Sequence, residues 1–275
     1  DAIRLIKEND GTPFFLNLWY YTVHTPIQAK QEKIKKYETK ARSMGLNTVQ
    51  TFEEGDFFPC EHKKTQRIVR RLIQSDPVYA AMIESLDENV GKLLDTLVET
   101  GQTEDTVIIF FSDNGGLATS EGSPTCNAPL AEGKGWMYEG VSREPLLVKW
   151  PGNVAPGSIC ETPITSTDFY PTLLEMAGLD LIPEQHKDGF SLVPLLTGSG
   201  ALEREDIFWH YPHYANQGGT PGSSIRSGDY KLIEFYEDAH LELYNLRDDI
   251  NESQNLIDEL PDIGARLKQK LEAWR

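Results

Sequence analysis

The run Val107-Ile108-Ile109-Phe110-Phe111-Ser112, closed by Asp113-Asn114-Gly115-Gly116, constrains this chain more than any other stretch. Apolar, β-branched and aromatic residues without polar alternation predict a strand buried on both faces, as in the interior of a parallel sheet. Asp113 and Asn114 then stand at the strand's carboxyl end, the edge where open α/β sheets bind ligands. Two adjacent oxygen-bearing side chains on a glycine-released turn can reach one hard cation such as Ca2+ or Mg2+. Taken alone the segment is an ordinary turn, because Asp, Asn and Gly favour turns. Its surroundings raise its value. Lys134, in Gly133-Lys134-Gly135, offers a point charge to an anion, and His24, in His24-Thr25-Pro26, follows a second apolar run, Pro13–Trp19, read as another buried strand. Polar residues converging on one sheet edge point to a site. A zinc or iron centre would show His or Cys ligands, and Asn114 stands where a two-zinc phosphatase would carry His.

The rest of the chain alternates helices with apolar runs, the order of an α/β fold. Asp1–Asn9 reads as the end of a helix and Gln28–Met44 as a helix with a charged outer face, whereas Asn47–Phe58 reads as an insertion loop. Asp76-Pro77 opens the clearest helix, Tyr79 to Leu97 keep its period, and Gly101 closes it. Pro145–Trp150 predicts a core strand and Phe169–Met176 a short helix. Beyond Gly198 come four short strands (Ile207–Tyr211, Ser224–Ser227, Tyr230–Tyr236, Leu241–Leu246) and an amphipathic helix over Leu260–Trp274. The expected architecture is part of a large mixed sheet flanked by helices over residues 1–198. A small antiparallel sheet with one covering helix follows over 199–275.

Composition narrows the function. A net charge of −17 excludes nucleic acid as a partner. The apolar stretches, Phe14–Tyr21 among them, fall short of a membrane span. Basic residues concentrate between Lys30 and Arg71, which reads first as solvated helix faces. Cys60, Cys126 and Cys160 have neither zinc-site nor disulfide-framework spacing, and Asn251-Glu252-Ser253 is a lone glycosylation sequon.

Phe111-Ser-Asp-Asn-Gly-Gly116, Gly133-Lys-Gly-Trp-Met-Tyr-Glu-Gly140, Arg143-Glu-Pro145 and Trp150-Pro-Gly152 together resemble a type I sulfatase, in the family's order and spacing. Thr167-Asp-Phe-Tyr-Pro-Thr172, Asp188-Gly-Phe-Ser-Leu192, Ile225–Leu232 and Leu243-Tyr-Asn-Leu246 extend the likeness through nearly the whole chain. It is nearest to carbohydrate sulfatases of the N-acetylgalactosamine-6-sulfatase and arylsulfatase A type. The resemblance implies hydrolysis of a sulfate ester on carbohydrate, with Asp113 and Asn114 as two calcium ligands and Lys134 and His24 as sulfate contacts. It also implies that the C-terminal sheet leans over the pocket, with His210 as a substrate contact and His213 as packing or solvated. Location in a periplasm, lysosome or extracellular space is implied by the family as well.

The family's nucleophile is a formylglycine made from Cys or Ser in Cys/Ser-x-Pro-x-Arg, and no such motif occurs here. Cys126-Asn-Ala-Pro129 and Cys160-Glu-Thr-Pro163 carry proline one place late and lack the arginine. That motif, and the aspartate pair completing the calcium shell, are expected upstream of residue 1. The chain thus reads as the C-terminal portion of a sulfatase, with a missing N-terminal portion as partner, half a Ca2+ site and no activity alone. Two other readings use the same residues: a phosphodiesterase or phosphonate monoester hydrolase of the same superfamily, and a non-catalytic protein that binds sulfated glycans.

Overall fold

The computed structural model describes residues 1–275 and divides into two compact units. The first comprises Asp1–Asp56, Arg67–Thr106 and Gly116–Cys126. It contains α1 (Ala2–Lys7), α2 (Gln31–Ser43), the paired strands β1 (Phe52–Phe57, all but its last residue) and β2 (Arg67–Arg71), and α3 (Pro77–Glu99). Helix α3 starts where the sequence says it should. The Asp76 carboxylate accepts from Val78 N at 2.8 Å and Tyr79 N at 3.0 Å, and Pro77 fills a position whose N–H would have no partner. Helix α2 is held to α3 by charge as well as by packing. Lys33 Nζ, buried, lies 2.6 Å from Glu88, and Lys36 pairs with Glu84 at 3.0 Å. Arg71 is also buried, donating to Ser123 O and to Ser75 Oγ. These two members of the basic stretch are therefore internal, not solvated.

Two expectations fail in this unit. Asn47–Phe58 is not a loop throughout, since Phe52–Phe57 forms β1. Pro13–Trp19 is not a strand: it has no regular structure, and Phe15 and Trp19 are 73% and 85% exposed. Its residues have strand propensity, but a strand exists only where another backbone takes up its N–H and C=O groups. No strand of this chain does so.

The second unit comprises Phe57–Gln66, Val107–Gly115 and Asn127–Arg275. It holds β3 (Ile108–Phe111), α4 (Glu139–Ser142), β4 (Leu146–Lys149), α5 (Phe169–Met176) and α6 (Val193–Thr197). A four-stranded sheet β5 (Asp206–Tyr211), β6 (Gly222–Ser227), β7 (Tyr230–Phe235) and β8 (Leu241–Asn245) comes next, then α7 (Pro261–Trp274). Strand β3 pairs with β4 alone and runs antiparallel to it, Phe111 opposite Leu146, and Phe110 and Leu147 remain exposed. The expectation of a strand buried on both faces of a parallel sheet is thus corrected. An apolar run reports demand for cover, not the direction of its neighbour.

The C-terminal sheet is the antiparallel meander expected, with its covering helix. Ile225, Leu232 and Leu243 on one face are fully buried against Leu267 and Leu271 of α7. The other face carries Ile233, Phe235 and Tyr244, and Met137 packs there. The sheet is therefore covered on one side by α7 and on the other by the segment that contains Lys134. Arg204 pairs through both guanidinium nitrogens with the fully buried Asp168, which also caps Thr165 N and Phe190 N.

Candidate active site

Strand β3 delivers Ser112-Asp113-Asn114 into a turn whose shape is set by two close contacts. Gly115 N donates to Val141 O at 3.1 Å, and a Cβ on Gly115 would lie 1.7 Å from Gly140 O, so only glycine fits. Asn114 Nδ2 donates to Gly115 O at 3.0 Å, which leaves the amide oxygen for another partner, and the Asp113 carboxylate is exposed beside it. Oxygen donors of this kind fit a hard cation such as calcium. They are two donors where calcium takes six to eight (roughly), and no cluster of three or more His, Cys, Asp or Glu side chains accompanies them. The residues present fit half a shell.

Lys134 lies in the segment leading to α4, and the same Gly140 anchors it. Gly140 N donates to Ala131 O at 2.9 Å, and a Cβ on Gly140 would come within 2.2 Å of that oxygen and 2.6 Å of Glu132 O. The turn of Asp113 and Asn114 and the stretch entering Lys134 thus meet at one glycine. On its other side Lys134 is followed by Gly135, whose carbonyl would lie 2.0 Å from a Cβ on Gly219. The segment between β5 and β6 therefore closes directly on the lysine's neighbour.

His24 belongs to the first unit. It sits exposed in the turn after Tyr21, with its N–H donating to Tyr21 O at 2.9 Å and Nδ1 3.0 Å from Thr25 O. His210 belongs to the second. Its register partner is Ser223, opposite Glu234 in turn, which places it on the α7 face of the sheet, while Met137 packs on the other. Nδ1 of His210 is 2.8 Å from Ser223 Oγ and 2.9 Å from Tyr236 OH. The structure joins Asp113, Asn114 and the Lys134 segment through Gly140. His213, like His210, is exposed.

The comparisons with known proteins converge. The family description "Sulfatase" matches residues 1–179, and "N-sulphoglucosamine sulphohydrolase, C-terminal" matches residues 132–275. The chain belongs to the sulfatase family. It is 35% identical to a sulfatase of Formosa agariphila over 298 aligned residues, covering 99% of this chain and 48% of that protein. It is 32% identical to an N-acetylglucosamine-6-O-sulfatase of Bacteroides thetaiotaomicron, covering 65% of this chain and 31% of that one. The sulfatase chain spans about half the length, or less, of the curated relatives it matches. Among solved structures, Ps i-CgsB in complex with k-i-k-neocarrahexaose superposes with a TM-score of 0.75 at 27% identity, covering 99% of this chain and 52% of that one. A phosphonate monoester hydrolase from Silicibacter pomeroyi is more distant, at a TM-score of 0.57 and 25% identity, covering 72% of this chain and 40% of that one.

Four charged side chains around this candidate site escaped sequence reasoning. Burial pushes the Glu144 carboxyl up to about 7, against a hydrogen bond from Ser112 and with the added repulsion of Asp113. Glu139, Lys231 and Glu252 form a buried ionic group. Lys231 Nζ is 3.0 Å from Glu139 Oε1 and 2.9 Å from Glu252 Oε1, and Glu139 N donates to Glu252 Oε2 at 2.6 Å. The Lys231–Glu252 approach is an ion pair out of line for a hydrogen bond, since Glu252 Oε1 lacks one. Burial raises the Glu252 carboxyl, which Lys231 partly opposes. Glu139 and Lys231 fall inside the family-like runs, but charged residues there read as surface; Glu252 carried no signal beyond the sequon around it.

Proposed function

We propose that this chain is the part of a sulfuric ester hydrolase that supplies half of the metal site and the cationic contacts to the sulfate of a carbohydrate substrate. The observation that carries the reading is the junction at Gly140, where the Asp113–Asn114 turn and the Lys134 segment share one backbone anchor. The name of one relative, an N-acetylglucosamine-6-O-sulfatase, and a similar structure in complex with k-i-k-neocarrahexaose support a sulfated glycan as substrate.

Asp113 and the Asn114 amide oxygen would hold Ca2+, which when bound polarises the sulfate and orients the nucleophile. Lys134 donates N–H to a sulfuryl oxygen, where negative charge grows in the transition state. His24 donates from its ring to the sulfate or to the leaving oxygen. His210, fixed through Nδ1, offers its other ring edge to the sugar. The formylglycine, the remaining calcium ligands and a location outside the cytoplasm belong to the fuller protein, and 1–198 and 199–275 are its catalytic-domain portion and C-terminal subdomain.

The test compares two proteins. A longer form with the Cys/Ser-x-Pro-x-Arg segment hydrolyses an aryl sulfate in a calcium-dependent manner and loses about 100-fold or more in kcat on Lys134→Ala. The 275-residue chain, purified free of other sulfatases, shows no turnover. Turnover by the short chain, or a Lys134→Ala protein of unchanged kcat, refutes the assignment. The phosphonate monoester hydrolase likeness gives the second reading its footing. Faster hydrolysis of phosphonate than of matched sulfate esters would select it.

A further inference from the structure

A charged group wholly inside a sheet-and-loop interface needs a reason, because burying charge opposes folding unless each member is paired. Lys231 is fully buried in β7, Glu139 is 1% exposed at the first position of α4, and Glu252 is 6% exposed. Lys231, Arg226 and Tyr244 are register neighbours on the sheet face opposite α7, and Arg226 and Arg143 each lie 3.6 Å from Glu139 Oε2. Burial lowers the Arg226 guanidinium, which Glu139 opposes only in part. Both ends of residue 139 are therefore fixed, the carboxylate by Lys231 of β7 and the N–H by Glu252 of the β8–α7 connection.

The two residues after Glu139 carry that fixation to the site. Gly140 and Val141 are the residues whose carbonyls define the turn of Asp113 and Asn114, and Gly140 N–H holds Ala131 ahead of Lys134. Glu139 is bonded through the chain to Gly140, whose N–H and carbonyl both stand in close backbone contacts. We infer that Lys231 and Glu252, through Glu139, are positioning residues that set the spacing between the Asp113–Asn114 turn and the Lys134 segment. The functional meaning of that spacing rests on the proposed sulfatase reading; the mechanical link does not.

Amide hydrogen exchange of the 275-residue chain tests the link directly, on wild type, Glu139→Met and Glu139→Gln. Methionine keeps the volume and removes both oxygens; glutamine keeps one for Lys231. In Glu139→Met, peptides covering 108–115 and 131–138 exchange faster by roughly tenfold, while peptides of α7 and of the first unit keep wild-type rates. Glu139→Gln falls between the two, so the series is readable even if the Met chain loosens more widely. Wild-type exchange at both peptides in Glu139→Met overturns the inference. So does loosening in either variant that is confined to β6–β8, which is what a role in sheet stability alone would give. Calcium chloride at tens of millimolar, added to the longer form that carries the rest of the shell, separates the two claims. If calcium does not slow exchange in 108–115 of that form, the metal reading fails while the graded Glu139 series of the 275-residue chain still decides the positioning link.

Discussion

At the scale of single residues, the most consequential group is one that ordinary patterning would pass over. Glu144 follows Arg143 and precedes Pro145 in a family-like run, yet burial pushes its carboxyl from 4.5 to about 7. The folded chain holds that proton more tightly than the unfolded chain. Stability from this residue is therefore undiminished below about pH 4.5, and falls as pH rises toward about 7 because the unfolded carboxyl ionises first. Glu144→Gln removes the slope. Its thermal midpoint is expected to match wild type near pH 4.5 and to exceed it by about a degree or two near pH 8, a small gain because the group is only partly buried and is screened. Equal melting at both pH values would show that Glu144 is not held protonated. Asp113 and Asn114 were legible as a candidate site because oxygen-bearing residues after an apolar run are few in kind. Glu252 was not legible, since nothing local separates a buried glutamate from a solvated one.

Secondary-structure elements differ in legibility for a related reason. The meander β5 to β8 and α7 could be read from sequence because each strand pairs with its sequence neighbour, so local turns report the partner. Its core also behaves as a unit: Leu232 is fully buried between Ile225, Leu243 and the α7 leucines. Leu232→Ala should destabilise the chain by about 2–5 kcal/mol in urea unfolding, with far-ultraviolet signal lost at lower denaturant. A change below about 1 kcal/mol would mean the site collapses around the cavity. Strand β3 and the Pro13–Trp19 run were read less well. Their apolar character was correct, but the partner of a strand separated from it by long sequence is not written in the strand, and β3 took the antiparallel β4. Helix α3 needed no partner to be recognised, because its cap is contained in Asp76-Pro77.

For the molecule as a whole, the fold class and the family were legible from motif order, and the two compact units were not. Each unit is interrupted in sequence, which no local signal announces. The bare Phe14–Tyr21 segment then bears on how the 275-residue chain by itself behaves in solution. Phe15, Trp19 and Tyr21 present a contiguous oily stretch of a kind that soluble chains rarely leave uncovered. Opposing it is a net charge of −17, which keeps copies apart while the ionic atmosphere is thin. Salt shortens that repulsion to about 8 Å at physiological strength. The colloidal fate of the chain is thus a contest between one sticky ribbon and a diffuse negative shell, and ionic strength decides which prevails.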